Sequence, residues 1–340
     1  ASPNVCGLLA TVLEQNKGLT PAQAQAWIFK NSTPSKLYNG TVDDWDDQDS
    51  IQQIGDSINY SSGSVKTVTE LTPFTKELTV RGIKLLGHGP YDVSAKGISD
   101  TFLEKVARTI QLLLDPEASG IDKEKQAAAI DGMANENNEG GFGIGPTVQR
   151  IGYINGGQYA RSFLDDDAPN NYPGLQNTEF SYRAKDYVWE FPDDDASGSG
   201  IADWGGYTVG GQVTEVLEHV LHTISQHGLH YAYPDELNIT SGNAGPMMAA
   251  MQEAITNSVF DVSGYSALDD GSNEYFAAIA REYQYLLCYA MWEYYSVYVD
   301  GGSLSPEWND NSRTQAGVLT NNPLGYALFN NFISKVISKP

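Results

Sequence analysis

Four of the chain's five histidines fall in one short run, Glu215-Val216-Leu217-Glu218-His219-Val220-Leu221-His222-Thr223-Ile224-Ser225-Gln226-His227-Gly228-Leu229-His230. Glu215/His219 and Glu218/His222 are i, i+4 pairs, which share a helix face. The apolar residues Val216, Leu217, Val220, Leu221 and Ile224 recur at helical spacing. On a helix, Glu215, Glu218, His219, His222 and Gln226 therefore gather opposite the apolar arc, within roughly a third of the circumference. Gly228 is placed to stop the helix. Imidazoles and carboxylates converging in this way are a donor set for a divalent transition metal, zinc first, with manganese and iron admitted by the carboxylates. His227 and His230 are further candidate ligands or oxyanion donors, and Tyr231 and Tyr233 can fill the second of those roles. The competing reading is a solvated polar face, or histidines packed against a tyrosine-rich helix as a pH-sensitive core.

Several elements must position this face. Residues 65–86 carry β-branched side chains and are expected to hold two strands, followed by a turn at Gly87-His88-Gly89-Pro90. Residues 100–114 form an amphipathic helix with Phe102, Val106, Ile110 and Leu113 on its buried face. A second helix runs to Met133, a Gly/Asn loop follows over 135–147, and residues 182–191 read as a strand. Glycines flanking Tyr207-Thr208-Val209 lead into the histidine helix and permit close backbone approach. Residues 246–260 are a Met/Ala-faced helix. Ser272 caps a long helix from Asn273 to about Val299, rich in tyrosine, with Glu274 in its first turn. A last apolar helix spans 319–337. Near the N-terminus, Thr20-Pro21-Ala22-Gln23 starts a helix over 20–29, and residues 31–66 form a polar loop with the acidic run 43–49. Residues 1–75 are thus expected to be an N-terminal polar segment packed on a helix-rich metal-binding domain, 76–340.

A net charge of -23 over 340 residues excludes a phosphate-binding, nucleic-acid face and disfavours an anionic membrane surface. No apolar run reaches the ~20 residues a spanning helix needs. The acidity fits an extracellular or saline setting. The sequons at Asn31, Asn39, Asn59 and Asn238 fit a glycosylated, secreted chain, as does the start at Ala1 without a leader. Cys6 and Cys288, the two cysteines, are either a long-range disulfide or two free thiols. Between the first two helices, Asp115-Pro116-Glu117-Ala118-Ser119-Gly120-Ile121-Asp122 partly matches a calcium loop, with Asp115, Glu117, Ser119 and Asp122 as the ligands; a capped helical hairpin is the alternative.

Glu218-His219-Val220-Leu221-His222, together with Ser272-Asn273-Glu274-Tyr275-Phe276-Ala277-Ala278, resembles the metal-site elements of zincin metallopeptidases of the Glu-ligand (gluzincin) type. Those carry H-E-x-x-H on one helix and a third, glutamate ligand on a downstream helix. Here the first two residues of the motif are exchanged. The resemblance implies Glu218 and His222 as the first two ligands, Glu274 as the third, and His219 in the place of the general base, with Glu215 as the other candidate proton acceptor. It implies a zincin-like core and metal-assisted hydrolysis of a peptide or small-molecule substrate. The sequence therefore predicts a helix-rich α+β protein, secreted, built on a long metal-site helix and a Tyr-rich C-terminal helix. It reads as a metal-dependent hydrolase, or alternatively as a non-enzymatic extracellular metal-binding protein with acidic calcium-binding loops.

Overall fold

Phe74, Leu78 and Val80 point to one side of an extended segment and are buried there, giving strand β2 (Phe74–Val80). It returns as β3 (Ile83–His88) through Arg81-Gly82, both at positive φ (45° and 77°), the geometry of a tight hairpin whose twist suits the strands. Gly82 is required twice over: a Cβ there would sit 2.4 Å from the carbonyl oxygen of Ile130, so the glycine also admits a neighbouring helix. The structure is a computed structural model describing residues 63–69, 71, 74–90, 97–137, 144–153, 187–190, 209–239, 244–296 and 307–340. All of them lie in the second of two compact units of the chain, Ser62–Pro340. The helix expected over 20–29, Cys6, the sequons at Asn31, Asn39 and Asn59, and the acidic runs at 43–49, 165–167 and 193–195 lie outside the described residues.

The protein is helix-rich α+β with a small mixed sheet. With β1 (Lys66–Thr67), β6 (Thr147–Tyr153) and β7 (Tyr187–Glu190), the hairpin forms a five-stranded sheet in the order β1-β2-β3-β6-β7. The first three strands are antiparallel, whereas β3–β6 and β6–β7 pair in parallel. A two-stranded ribbon of β4 (Glu136–Asn137) and β5 (Ile144–Gly145) precedes β6. The Gly/Asn loop therefore contains paired strands, and β6 is a strand the sequence did not announce. Its Gln149 and Arg150 are buried, so its pattern lacks the apolar run of an ordinary central strand. Gln149 Oε1 instead accepts from Thr223 Oγ1 at 2.5 Å, and the Arg150 guanidinium stacks on Tyr187.

The β3-to-β6 crossover holds α1 (Asp100–Leu113) and α2 (Lys123–Ala134). Ser99 caps α1 by accepting from Phe102 N–H at 3.0 Å, and its own hydroxyl and N–H donate to Glu190 at the end of β7. Phe102, Val106, Ile110 and Leu113 are buried as expected. The histidine helix, α3 (Val209–His227), begins six residues before Glu215 and takes Gly210-Gly211 into its backbone. It packs on β6 and β7, on α1 and α2, and along α6 (Asn273–Trp292). Between them lie the short α4 (Leu229–Ala232) and α5 (Pro246–Thr256). The long helix ends earlier than expected, at Glu293, which takes a left-handed conformation (φ 60°).

The single C-terminal helix expected over 319–337 is broken. Pro323 forces Asn322 out of helical geometry, dividing α7 (Gln315–Asn321) from α8 (Pro323–Leu328). Asn322 then becomes a buried connector. It donates to Ala250 O at 2.9 Å and Glu253 Oε2 at 2.8 Å, and accepts from Tyr283 Oη at 2.7 Å. No helix among the described residues is long and apolar enough to cross a membrane.

The apolar arc of α3 carries the core contact: Val220, Leu221 and Ile224 are fully buried. Leu221→Ala is expected to destabilise the fold by about 2–5 kcal/mol through lost burial and a residual cavity, whereas Leu268→Ala, at a residue 60% exposed, should change stability by under about 0.5 kcal/mol. Denaturant unfolding of both variants checks the pair.

Candidate metal centre

The face of α3 opposite its apolar arc meets α6 and the end of β7. Glu218, His219 and His222 each bring one ligand atom within 4.8 Å of the others, the only group of three such donors among the described residues. The His219 and His222 rings meet edge-to-face with centroids 5.5 Å apart. A cluster of this kind can hold a metal ion.

Two carboxylate–imidazole pairs flank Glu218. On one side, Glu215 Oε1 stands 3.2 Å from His219 Nε2 and accepts the Trp189 N–H of β7 at 3.1 Å. The strand thus fixes the carboxylate, and the carboxylate orients the imidazole. On the other side, His222 Nε2 stands 3.3 Å from Glu282 Oε2 of α6. One helical turn along α3, Gln226 accepts from Arg281 at 2.5 Å, which locks the two helices in register at this point. Tyr285, one turn beyond Glu282, sets its ring edge against His222 at 5.9 Å.

Electrostatics follow from this packing. Burial pushes the Glu218 carboxyl up to about 7; His219 and His222 pull it down, while Glu282 and Glu215 push it further up. Glu307 is also raised, first by burial, although Tyr265 donates to it at 3.0 Å. It feels the charges of both Glu282 and His222. The Tyr265 hydroxyl is pushed well above its ordinary value by burial and by Glu282, Glu307 and Glu218. The groups that set the ionisation of Glu218 and Glu307 include no lysine or arginine.

Other sequence candidates sit elsewhere. Glu274 is exposed in the first turn of α6. It precedes Glu282 by eight residues, about 12 Å along the helix axis, so the downstream helix delivers Glu282 to the histidines and not Glu274. His227 is buried, but five residues past His222 it points roughly 140° away around α3. His230 stacks on Tyr231 with centroids 4.1 Å apart, and Tyr233 packs on Phe332 under Lys125. The donor group found among the described residues includes none of Glu274, His227 and His230. His88 ends β3, buried edge-on against Phe74, instead of lying in an open turn.

The 115–122 segment is a capped hairpin. Asp122 accepts from the N–H groups of Glu124 and Lys125, each at 3.1 Å, and so caps α2. Asp115 accepts from Glu117 N–H at 2.9 Å, and Glu117 pairs with Lys123 at 2.6 Å. Among these acids, both Asp122 and Asp115 are thus bound to backbone, and Ser119 is part of the turn between the helices. Cys288 is a fully buried thiol that accepts from Gln284 Nε2 at 3.5 Å, and burial pushes it far above its ordinary value. Asn238 is half-buried.

Glu282, Glu307 and Tyr265 were the residues sequence reasoning missed. Glu282 had a signal: an acid among Ile279, Tyr283, Leu286 and other buried neighbours marks the rim of a core. Glu307 lies in a turn and Tyr265 in a short 3-10 helix (Ser263–Leu268), and neither had one. Comparison with protein-family models, with curated proteins and with solved structures gives no match.

Glu218 binds its proton more tightly folded than unfolded. Its contribution to stability is therefore complete below about 4.5 and is lost as pH rises through about 7. The melting temperature of chelator-treated protein should fall across that window, and Glu218→Gln should remove that part of the slope. Affinity for a divalent ion should rise through the same window, because a ligand carboxylate must lose its proton. Thermal melts and metal titrations at stepped pH check both signs.

Proposed function

We propose that the protein is a secreted, metal-dependent hydrolase built on a zincin-like core. One observation carries the reading: α3 gathers Glu218, His219 and His222 within reach of one cation, and α6 sets a further carboxylate, Glu282, against His222. This resembles the two-helix plan of the Glu-ligand zincins, with Glu282 in the place expected for Glu274. Zinc fits the imidazoles, and the surplus of carboxylate oxygens suits manganese or iron equally well. Secretion rests on the sequons and on the net charge of -23.

A bound divalent ion supplies water acidified toward neutral pH and polarises the substrate oxygen. The chain's own residues do the rest. Glu215 and His219 were the sequence's candidates for accepting the proton. Their attachment to each other and to Trp189 suits them better to holding a fixed coordination shell. Glu307, half-buried and with its carboxyl raised by burial, is better placed to accept a proton. Tyr265, donating to Glu307, can hand its hydrogen bond to a developing oxyanion. The burial of Tyr283, Tyr285 and Tyr289 keeps the α6 wall of the site dry and its electrostatics strong.

Protein purified without chelator should hold a transition metal, and His222→Ala should lose it while keeping its far-UV circular dichroism. Elemental analysis reads the first result. Hydrolysis of peptide and ester substrates by the metal-loaded protein, lost in Glu307→Gln at unchanged metal content, is the expected activity. Full metal occupancy with no hydrolysis of any substrate would leave a metal-binding protein without catalysis.

A further inference from the structure

The donors around α3 outnumber what one ion needs. Glu218 is within 4.8 Å of the imidazoles of two carboxylate–imidazole pairs of nearly the same spacing, Glu215/His219 at 3.2 Å and Glu282/His222 at 3.3 Å. Two donors on one tetrahedral ion, each about 2.0–2.2 Å from it, stand roughly 3.3–3.6 Å apart. Each pair is thus close to one edge of a coordination tetrahedron, and Glu218 is available to both.

Charge points the same way. Glu215, Glu218, Glu282 and Glu307 would bring four negative charges into a partly buried site. The neighbours that act on Glu218 and Glu307 are carboxylates, imidazoles and a phenol, with no lysine or arginine among them. One divalent ion would balance half of that charge, and two would balance it fully. An independent observation lies beside His222. The Tyr285 side chain is 1% exposed, and its hydroxyl has no hydrogen-bond partner among the described residues. That hydroxyl lies in the field of Glu218 and Glu282, on a ring set edge-on to His222. A buried phenol without a partner, in the field of two carboxylates, would be satisfied by a metal-bound water.

We infer that the centre is dinuclear: Glu215 and His219 hold one divalent ion, His222 and Glu282 hold a second, and the Glu218 carboxylate bridges them. Two-metal hydrolytic sites keep their ions about 3.5–4 Å apart, a separation that one bridging carboxylate spans. The oxygen-rich set favours manganese, iron or zinc, with softer ions disfavoured. This inference rests on the metal-centre reading above and goes beyond it in the number of ions and in the roles of Glu215 and Glu282.

The test is the stoichiometry of the full chain, stripped with chelator and titrated with Mn(II) and Zn(II). Two equivalents per chain are expected, with a spin-coupled Mn(II) resonance growing only as the second equivalent enters. Glu282→Gln and Glu215→Gln should each bind one equivalent and lose the coupled signal. Tyr285→Phe, which removes only the hydroxyl, should keep two equivalents with the second bound more weakly. One equivalent in the parent protein, or two that survive Glu282→Gln, would overturn the dinuclear assignment and leave the single-ion reading standing. No binding at all would overturn both. Because the coupled signal is read on the unsubstituted chain, the outcome does not depend on the variants folding.

Discussion

A carboxylate that folding removes from water, Glu218, is the constraint to which the rest of this site answers. Its position follows from α3 itself: the helix commits Val220, Leu221 and Ile224 to the core, so the opposite face must meet α6. There Glu218 finds two imidazoles, which favour its charged form, and two carboxylates, which oppose it. Burial outweighs the imidazoles, and the group is left holding its proton up to about 7. Among the described residues the groups acting on Glu218 and Glu307 are carboxylates, imidazoles and a phenol, and a divalent cation meets such a surplus of acid with fewer particles than protons do and with fixed geometry.

The sheet and the long helix serve this arrangement from two sides. On the sheet side, β7 donates Trp189 N–H to Glu215 and its Glu190 receives Ser99 at the start of α1. The strand therefore ties two helices to one sheet edge by polar contacts. Thr223 and Gln149 add a third such tie between α3 and β6. On the helix side, the tyrosines of α6 build a wall through rings and leave few charges in it. Tyr285 and Tyr289 meet edge-to-face with centroids 5.1 Å apart, and Tyr289 meets Tyr294 and Tyr295 in the same way. Low polarity on that wall is what makes the carboxylates' mutual repulsion strong.

The sequence disclosed the half of the site that lies on one element. Period and donor type coincide in α3, so Glu215, Glu218, His219 and His222 could be placed on one face from spacing alone. The second element was named, and the residue on it that stands against His222 is Glu282. Glu274 and Glu282 share α6, and local propensity favours the first, which caps the dipole in an ordinary way. Only the crossing of α3 and α6 selects the second, and a crossing angle is a property of packed ridges that no single helix encodes. The same limit hid Glu307 and Tyr265, brought in by a turn and a short 3-10 helix. In the calcium-like loop the error ran the other way. Asp122 has the right side chain for a ligand, yet a cap two residues before Glu124 satisfies it locally. Among the strands, β2, β3 and β7 were legible from β-branched and aromatic runs, whereas β6 hides buried Gln149 and Arg150 in a polar-looking segment.

Exposure within the cluster is graded, and the gradient has a chemical consequence. His222 is 5% exposed, whereas Glu218, His219, Glu282 and Glu307 are half-buried. An ion seated here would have its innermost bond to the least mobile imidazole and its outer positions toward solvent. A fully closed shell of protein donors is the mark of a structural ion, and an open outer side is the mark of a reactive one. Glu307, whose carboxyl is raised by burial, feels the charges of Glu282 and His222 and accepts from Tyr265.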